Sequence, residues 1–452
     1  MDTSMTKLTP LLYPRIAADY EKGDTTVTLA LKHQVTEGTI RNALKRMNVP
    51  TRCRAERAFQ AHRRAGRGSS NGLQHFVTSR GLFIPEIQWT ALKLKHPADE
   101  LATMLCAALK GTPMPWPTTK QERALRGFHS LRDASLPSLL ADGPITLLRS
   151  PDAQQPNYHI RLKPPGGKAS NYLFCRARWS TGKNNAPSVV QRWDDDALRL
   201  RTCRKYLTLS GCPEFTPALF RKALCVTGGT PSQFKPGAAK AVYGLLRSEH
   251  VLDFSAGWGD RAVGFCASPR GRTYLGVDPN LELHPLYERL REMYRGEKSL
   301  TFVPGCAEEV SFTPESVDTV FTSPPYFGAE RYAENTSHFT MQSWFRYQTP
   351  EIWRDRFLAP VLRKAWDALV PGGFLAINIA DVKMMREWQP LCRWTQQIVG
   401  ELVGSRFLFA LGMRLQGGNY DAHARSALSG EPIWVWSKGA PRCEVPTEKP
   451  PG

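Results

Sequence analysis

From about residue 231 the chain repeats one pattern. A short apolar, β-prone run stops at a turn or an acid, and a helical stretch follows. A helix over 238–246 precedes a strand over 251–254, which enters the glycine-rich turn Ser255-Ala256-Gly257-Trp258-Gly259 and a helix over 261–267. A strand over 274–277 ends in Asp278 and leads to a helix over 286–294. Further strands over 300–303, 318–321 and 374–379 end near Ala307-Glu308, at Thr322-Ser323-Pro324-Pro325-Tyr326 and near Asp381. Helices over 353–369 and 388–403 lie between and after them, and strands over 407–411 and 432–436 form a closing hairpin. Strands alternating with helices predict an α/β fold with a doubly wound, mostly parallel, Rossmann-like sheet.

The length of 452 residues allows two or three domains, each with its own core. No run approaches 18 apolar residues, so no transmembrane helix is predicted. The start, Met1-Asp2-Thr3-Ser4, has an early acid and no apolar core, unlike a secretory signal. Ten cysteines are scattered and none forms a C-x-x-C pair, which reads as reduced thiols in a cytoplasmic protein with no metal site. The net charge of +19 is unevenly placed, with +20 on residues 1–250 and −1 on residues 251–452. Solubility does not require that asymmetry; a polyanion-binding front half joined to a neutral catalytic half explains it.

Residues 1–70 read as a basic helical region. Helices are expected over 14–20, 26–34 and 37–47, with Val35-Thr36 turning between the last two. This unit resembles the helix-turn-helix of resolvase- and repressor-like proteins; an ordinary three-helix packing unit reads equally from the same residues. The resemblance makes Arg41, Lys45, Arg46, Arg52 and Arg54 candidate contacts to double-stranded DNA. The segment 66–72 is rich in Gly and Ser and reads as a linker. Residues 71–230 form the second expected region, basic and α+β, with a helix over 89–110, short strands over 147–175 and a basic helix over 192–209. There Arg176 and Arg178 beside Trp179 suit phosphate contact and base stacking, or a solvated face. The third region is 231–438, and 439–452 reads as a disordered tail.

Two features of the third region carry chemistry. Gly257 and Gly259 let backbone approach a ligand at a strand-to-helix junction. Asp278 ends the next strand 19 residues after Gly259, where a carboxylate accepts from the two hydroxyls of a ribose. A nicotinamide site prefers G-x-G-x-x-G, and position 262 is Ala262. The second feature is Thr322 to Tyr326, 63 residues after Gly259. Two prolines stiffen that strand end and remove two N–H donors. What remains is carbonyl acceptors, a serine hydroxyl and an aromatic ring, a set that suits a flat ring bearing an exocyclic amine.

Together these motifs resemble the S-adenosylmethionine-dependent methyltransferases that modify exocyclic amines in DNA, the N4-cytosine and N6-adenine enzymes. The resemblance covers 231–438. It implies that Asp253, Ser255, Ala256, Gly257 and Gly259 form the cofactor loop, that Asp278 with Pro279 holds the ribose, and that Glu308 flanks the adenine. It further implies that Phe234 and Pro236 close over the methionine end, that Thr322 borders the cofactor, and that Ser323, Pro324, Pro325 and Tyr326 are catalytic. Ser323 in place of Asp or Asn puts N4-cytosine ahead of N6-adenine. Phe254 and Trp258 depart from the usual loop. No large insert follows the catalytic motif, so target recognition is expected in residues 1–230.

In the mechanism the resemblance implies, the amine donates to the Ser323 hydroxyl and the Pro324 carbonyl, while Tyr326 stacks on the flipped base. C5 chemistry needs a motif cysteine, and Pro324-Pro325 offers none. Three alternatives share these residues: an RNA amine methyltransferase, a transferase of a larger group to a base amine, and a non-catalytic DNA-binding regulator. Target sequence and oligomeric state are not encoded in these patterns.

Overall fold

The computed structural model describes residues 9–22, 24, 26–49, 72–117, 120–147, 153–332, 339–384, 387–414 and 429–451. They fall into two compact units, residues 1–115 with 193–227, and residues 116–192 with 228–452. The border expected at 230/231 is therefore not where the units part.

The first unit contains three helices, Tyr13–Glu21, Thr26–Lys32 and Glu37–Arg46, at the positions expected from sequence. Their buried faces supply Ile16, Tyr20, Leu29, Ile40 and Leu44 to one small core. The Thr36 hydroxyl accepts from the Thr39 amide and caps the third helix. Helices Glu86–Lys95, Ala98–Leu109, Asp196–Leu207 and Pro217–Val226 complete the unit. Trp89, Tyr206, Phe215 and Phe220 pack ring against ring among them.

The second unit is built on a ten-stranded sheet. Its strands are β1 (Leu140–Asp142), β2 (Thr146–Leu147), β3 (Tyr158–Ile160), β4 (His250–Asp253), β5 (Thr273–Asp278), β6 (Ser299–Pro304), β7 (Val317–Thr322), β8 (Leu369–Asn378), β9 (Ser405–Arg414) and β10 (Ser429–Lys438). The order is β1-β3-β9-β10-β8-β7-β4-β5-β6, with β2 also paired to β10. Strands β8, β7, β4, β5 and β6 are parallel, whereas β10 runs antiparallel to both β8 and β9. The α/β, doubly wound, mostly parallel class read from the sequence is the observed one.

Helices cover both faces. These are α1 (Gln121–Asp133), α2 (Gly167–Ser180), α3 (Pro236–Leu245), α4 (Asp260–Cys266), α5 (His284–Tyr294), α6 (Ala359–Ala368) and α7 (Leu391–Gly400). The central strand β7 is covered on both sides and every residue of it is buried, with Val317, Val320 and Phe321 in the apolar cores. Two cores result, one under α1–α5 and one under α6 and α7.

Three expectations are corrected. Residues 116–192 are not part of a separate front region, because β1, β2 and β3 extend the sheet and α1 and α2 pack on it. Lys240, buried in α3, ties the join: its ammonium donates to the carbonyls of Leu131, Arg132 and Ala134 at the C-terminal end of α1, and burial pushes its pKa down to about 8. Second, the sequence predicts short strands over 147–175, but after β3 the chain forms α2, which buries Leu173, Phe174 and Trp179. Third, the tail is not disordered. The Tyr158 phenol donates to the Pro446 carbonyl, the Asn157 amide to Thr447, and Arg442 pairs with Asp318 at 3.0 Å.

Gly259 has φ of +68°, and a Cβ there would lie 2.5 Å from Phe174 and 3.0 Å from Leu290. Both the backbone angle and the space require glycine. Gly259→Ala should therefore destabilise the second unit by about 1–3 kcal/mol, the usual range for overpacking. Urea unfolding of the full chain checks this; an unchanged midpoint would show that the α2–α4 contact yields freely.

Candidate active site

The carboxyl ends of the parallel strands border a cavity of about 630 Å³. Ligands of open α/β sheets bind at that edge. One end of the cavity is lined by Ser255, Ala256, Gly257, Asp278, Pro279, Asn280, Ala307 and Glu308. Ser323, Pro324, Pro325 and Tyr326 line it as well, together with Phe234, Lys235, Asn378 and Glu431. The turn after β4, the end of β5 and the loop after β7 thus meet around one space.

Asp278 sits where the spacing from Gly259 puts it. Its Oδ2 accepts from the Gly257 amide at 2.8 Å, and its Oδ1 from the Asn280 amide at 2.9 Å. Burial raises its pKa, against the lowering effect of those two amides. Each oxygen keeps a lone pair for a further donor. Gly257 has φ of +54°, and its Cβ position meets nothing closer than the Ser255 carbonyl at 3.7 Å, so backbone faces open space there. A group carrying two adjacent hydroxyls can donate to this pair of acceptor oxygens.

Four residues expected to touch a cofactor stand behind the wall instead. Asp253 is fully buried, and its carboxylate accepts from Arg261 Nε at 2.8 Å, the Tyr274 phenol at 2.6 Å and the Thr322 hydroxyl at 2.8 Å. Thr322 is thereby committed to Asp253. Gly259 is filled against Phe174, as described above. Pro236 is buried at the start of α3. Glu308 lines the cavity, but its Oε1 accepts from Arg346 and from the Tyr347 phenol, which restrains it.

The Tyr326 phenol lies 2.6 Å from Glu431 Oε1 and 3.0 Å from the Asn378 carbonyl, and Ser323 lines the same cavity. Burial raises Glu431, and Glu330 adds to the rise, while the Tyr326 phenol, the Asn378 amide and the Lys235 ammonium oppose it. Glu330 goes the other way. Burial disfavours its charge, but Lys183 at 2.9 Å and the Ser232 hydroxyl outweigh that and leave it below the usual carboxylate value. Lys235 donates to the Arg414 carbonyl, and burial lowers its pKa. Cys306 also lines the cavity. Its thiol faces the Met341 carbonyl and burial pushes its pKa up, the reverse of an activated nucleophile.

Sequence reasoning missed Asp260, Asn378 and Glu431, all cavity-lining. The signal for Glu431 was present: an acid opening an antiparallel closing strand, whose first residues stand beside the last residues of parallel ones.

Of the basic candidates, Arg176 and Arg178 belong to the unit that holds this cavity, and neither lines it. Arg41 pairs with Glu37 at 2.7 Å, Lys45 is exposed and Arg46 reaches the Tyr13 phenol, all within the first unit's third helix. Arg52 and Arg54 lie outside the described residues. Arg176 is exposed, its guanidinium 5.3 Å from the Trp116 ring centre. Arg178 is buried and donates to the Pro231 carbonyl and to Asn171, which suits a structural tie and takes it away from a phosphate. Among the described residues no helix is long and apolar enough to cross a membrane, and no cluster of ligating side chains could hold a metal.

Asp260 opens α4, accepts from Gln233 at 2.9 Å and is pushed up by burial to about 7. A carboxyl whose folded pKa is raised binds its proton more tightly when folded, so its contribution fades as pH rises from the ordinary value through about 7. Asp260→Asn should remove that slope. Thermal melts from pH 5 to 8 should show the variant gaining on the wild type as pH rises; a constant difference would contradict the burial effect.

No family model matches the chain, and no curated protein matches it. Among solved structures, it is similar to TrmN from Thermus thermophilus at 18% identity and a TM-score of 0.30, over 45% of this chain and 48% of that one. The chain thus spans about half the length of TrmN. It is similar to YcgJ from Bacillus subtilis at 14% identity and a TM-score of 0.29, over 45% and 97%. A methyltransferase from Pyrococcus furiosus matches at 16% and 0.29, over 45% and 83%.

Proposed function

We propose that this chain transfers a methyl group from S-adenosylmethionine to the exocyclic amine of a nucleic-acid base, N4 of cytosine in double-stranded DNA ahead of N6 of adenine. One observation carries the reading. The ribose-type acid Asp278 and the Ser323–Tyr326 loop, which the sequence singled out separately, line the same cavity.

The residues at the Asp278 end fit the cofactor. The Asp278 carboxylate has a free lone pair on each oxygen for the ribose hydroxyls, Gly257 allows close approach, and Ala307 beside Glu308 offers a flat flank for the adenine. Bound there, S-adenosylmethionine supplies a methyl group made electrophilic by its sulfonium. The protein's own part is to hold the amine. The Ser323 oxygen and the Pro324 carbonyl accept its two N–H groups and draw the nitrogen toward tetrahedral geometry, which frees its lone pair. The Tyr326 ring stacks on the base, an interaction worth about 1–3 kcal/mol. Proximity of the two reactants supplies much of the rate. The basic front half, at +20 over residues 1–250, supplies affinity for the polyanion.

Incubation of the full chain with labelled cofactor and either double-stranded DNA or RNA, followed by nucleoside mass spectrometry, tests the reading. N4-methylcytosine in DNA is expected. DNA containing only 5-methylcytosine, or modified RNA beside untouched DNA, would overturn it.

Two variants separate the ends of the cavity. Asp278→Ala should weaken cofactor binding by about 1–3 kcal/mol, the cost of an unpaired polar partner, as calorimetry would show. Ser323→Ala should lower kcat while cofactor affinity stays nearly unchanged, because its interaction matters most in the transition state. Unchanged affinity in the first, with the fold intact, removes Asp278 from the site; unchanged turnover in the second removes Ser323.

A further inference from the structure

Transfer to an amine leaves a proton to be disposed of. The new N–C bond forms as the donor's S–C bond breaks, its electron pair stays on sulfur, and the nitrogen carries one proton too many. Ser323 and Pro324, the groups assigned to the amine, are poor final acceptors. Glu431, a carboxylate on the cavity wall, accepts a hydrogen bond from the catalytic loop itself. We propose that Glu431, acting through the Tyr326 phenol, is the terminal acceptor of that proton, an inference that rests on the transferase reading above.

The last link of the relay is in place in the structure, the Tyr326 phenol 2.6 Å from Glu431 Oε1. In the inferred path the amine proton passes to Ser323 Oγ, the serine proton to Tyr326 Oη on the same cavity wall, and the phenol proton to Glu431. One proton leaves nitrogen, one arrives on the carboxylate, and both hydroxyls end as they began. The Asn378 carbonyl, 3.0 Å from the same phenol, accommodates both states. While Glu431 is charged the phenol donates to it. Once Glu431 is neutral it can donate back to the phenol oxygen, and the phenol proton turns to Asn378.

Other acids on the cavity wall serve less well. Glu330 is engaged by Lys183 and Ser232, which stabilise its charge and weaken it as a base. Asp278 faces the opposite end and accepts two backbone amides. Glu431 is instead in a setting that favours its neutral form, so it holds a proton well. The charged and titratable groups acting on it are Tyr326, Glu330 and Lys235.

The test uses the full chain, with Glu431→Gln and Tyr326→Phe, each of which keeps the shape of the cavity. General-base contributions are typically 100-fold or more, so kcat should fall about 100-fold in either variant with calorimetric cofactor affinity unchanged. The double variant should be no slower than the worse single one. Wild-type kcat should rise with pH through the titration of Glu431, and Glu431→Gln should lose that limb. A readout without turnover is the melting temperature. Because Glu431 is raised in the folded state, the wild type should lose ground to Glu431→Gln as pH rises above about 4.3, the ordinary Glu value. If the wild type modifies nucleic acid and Glu431→Gln matches its rate and pH profile, the relay is wrong. If Glu431→Gln does not fold, Tyr326→Phe at wild-type rate overturns it equally. A wild type that modifies no nucleic acid refutes the transferase reading instead.

Discussion

The buried carboxylate of Asp253 is the interaction on which the site depends. It ends β4 with no exposure, and five donors converge on it: the Arg261 guanidinium through two nitrogens, the Tyr274 phenol, the Thr322 hydroxyl and the Ser255 amide. Those donors come from α4, β5, the last residue of β7 and the turn after β4. One charge therefore sets the mutual position of the three segments that wall the cavity. An isolated buried carboxylate would be costly, but here it is paired with a buried arginine. Removing either partner leaves the other uncompensated, typically a loss of about 3–5 kcal/mol. The motif aspartate and threonine thus contribute through the shape of the loops and not through contact with a ligand.

The antiparallel strand β10 explains the rest of the site. Strands β5 and β8 present their last residues, Asp278 and Asn378, to the cavity, and the segments directly after β4 and β7 reach it. Strand β10 runs the other way and presents its first, which brings Glu431 to Tyr326 across 105 residues of sequence. Residues 116–192 close the opposite wall, where Lys183 meets Glu330. A cavity built by strand ends and closed by a remote segment keeps its acids dry, which is why Asp260, Asp278 and Glu431 all have raised pKa values.

The parallel core was legible because its strands are long, apolar and bounded by turn residues. The Asp278 and Ser323–Tyr326 positions were legible because strand ends carry ligand-facing residues in such sheets. The extra strands at the sheet edge were not, since runs of two or three residues, Thr146–Leu147 and Leu140–Asp142, have no readable period. Arg178 misled for a related reason. A basic residue beside a tryptophan reads as a surface patch, yet α2 turns it inward onto the Pro231 carbonyl. Glu330 and Lys183 take their place in the cavity from their tertiary pairing, which no local pattern encodes.

A crystal structure of the full chain with S-adenosylhomocysteine, the demethylated product of the inferred cofactor, tests the central claim most directly. The account predicts ribose hydroxyls within hydrogen-bond distance of the Asp278 carboxylate and the sulfur directed toward Ser323. A ligand seated away from Asp278, or a cavity that excludes it, would contradict the account.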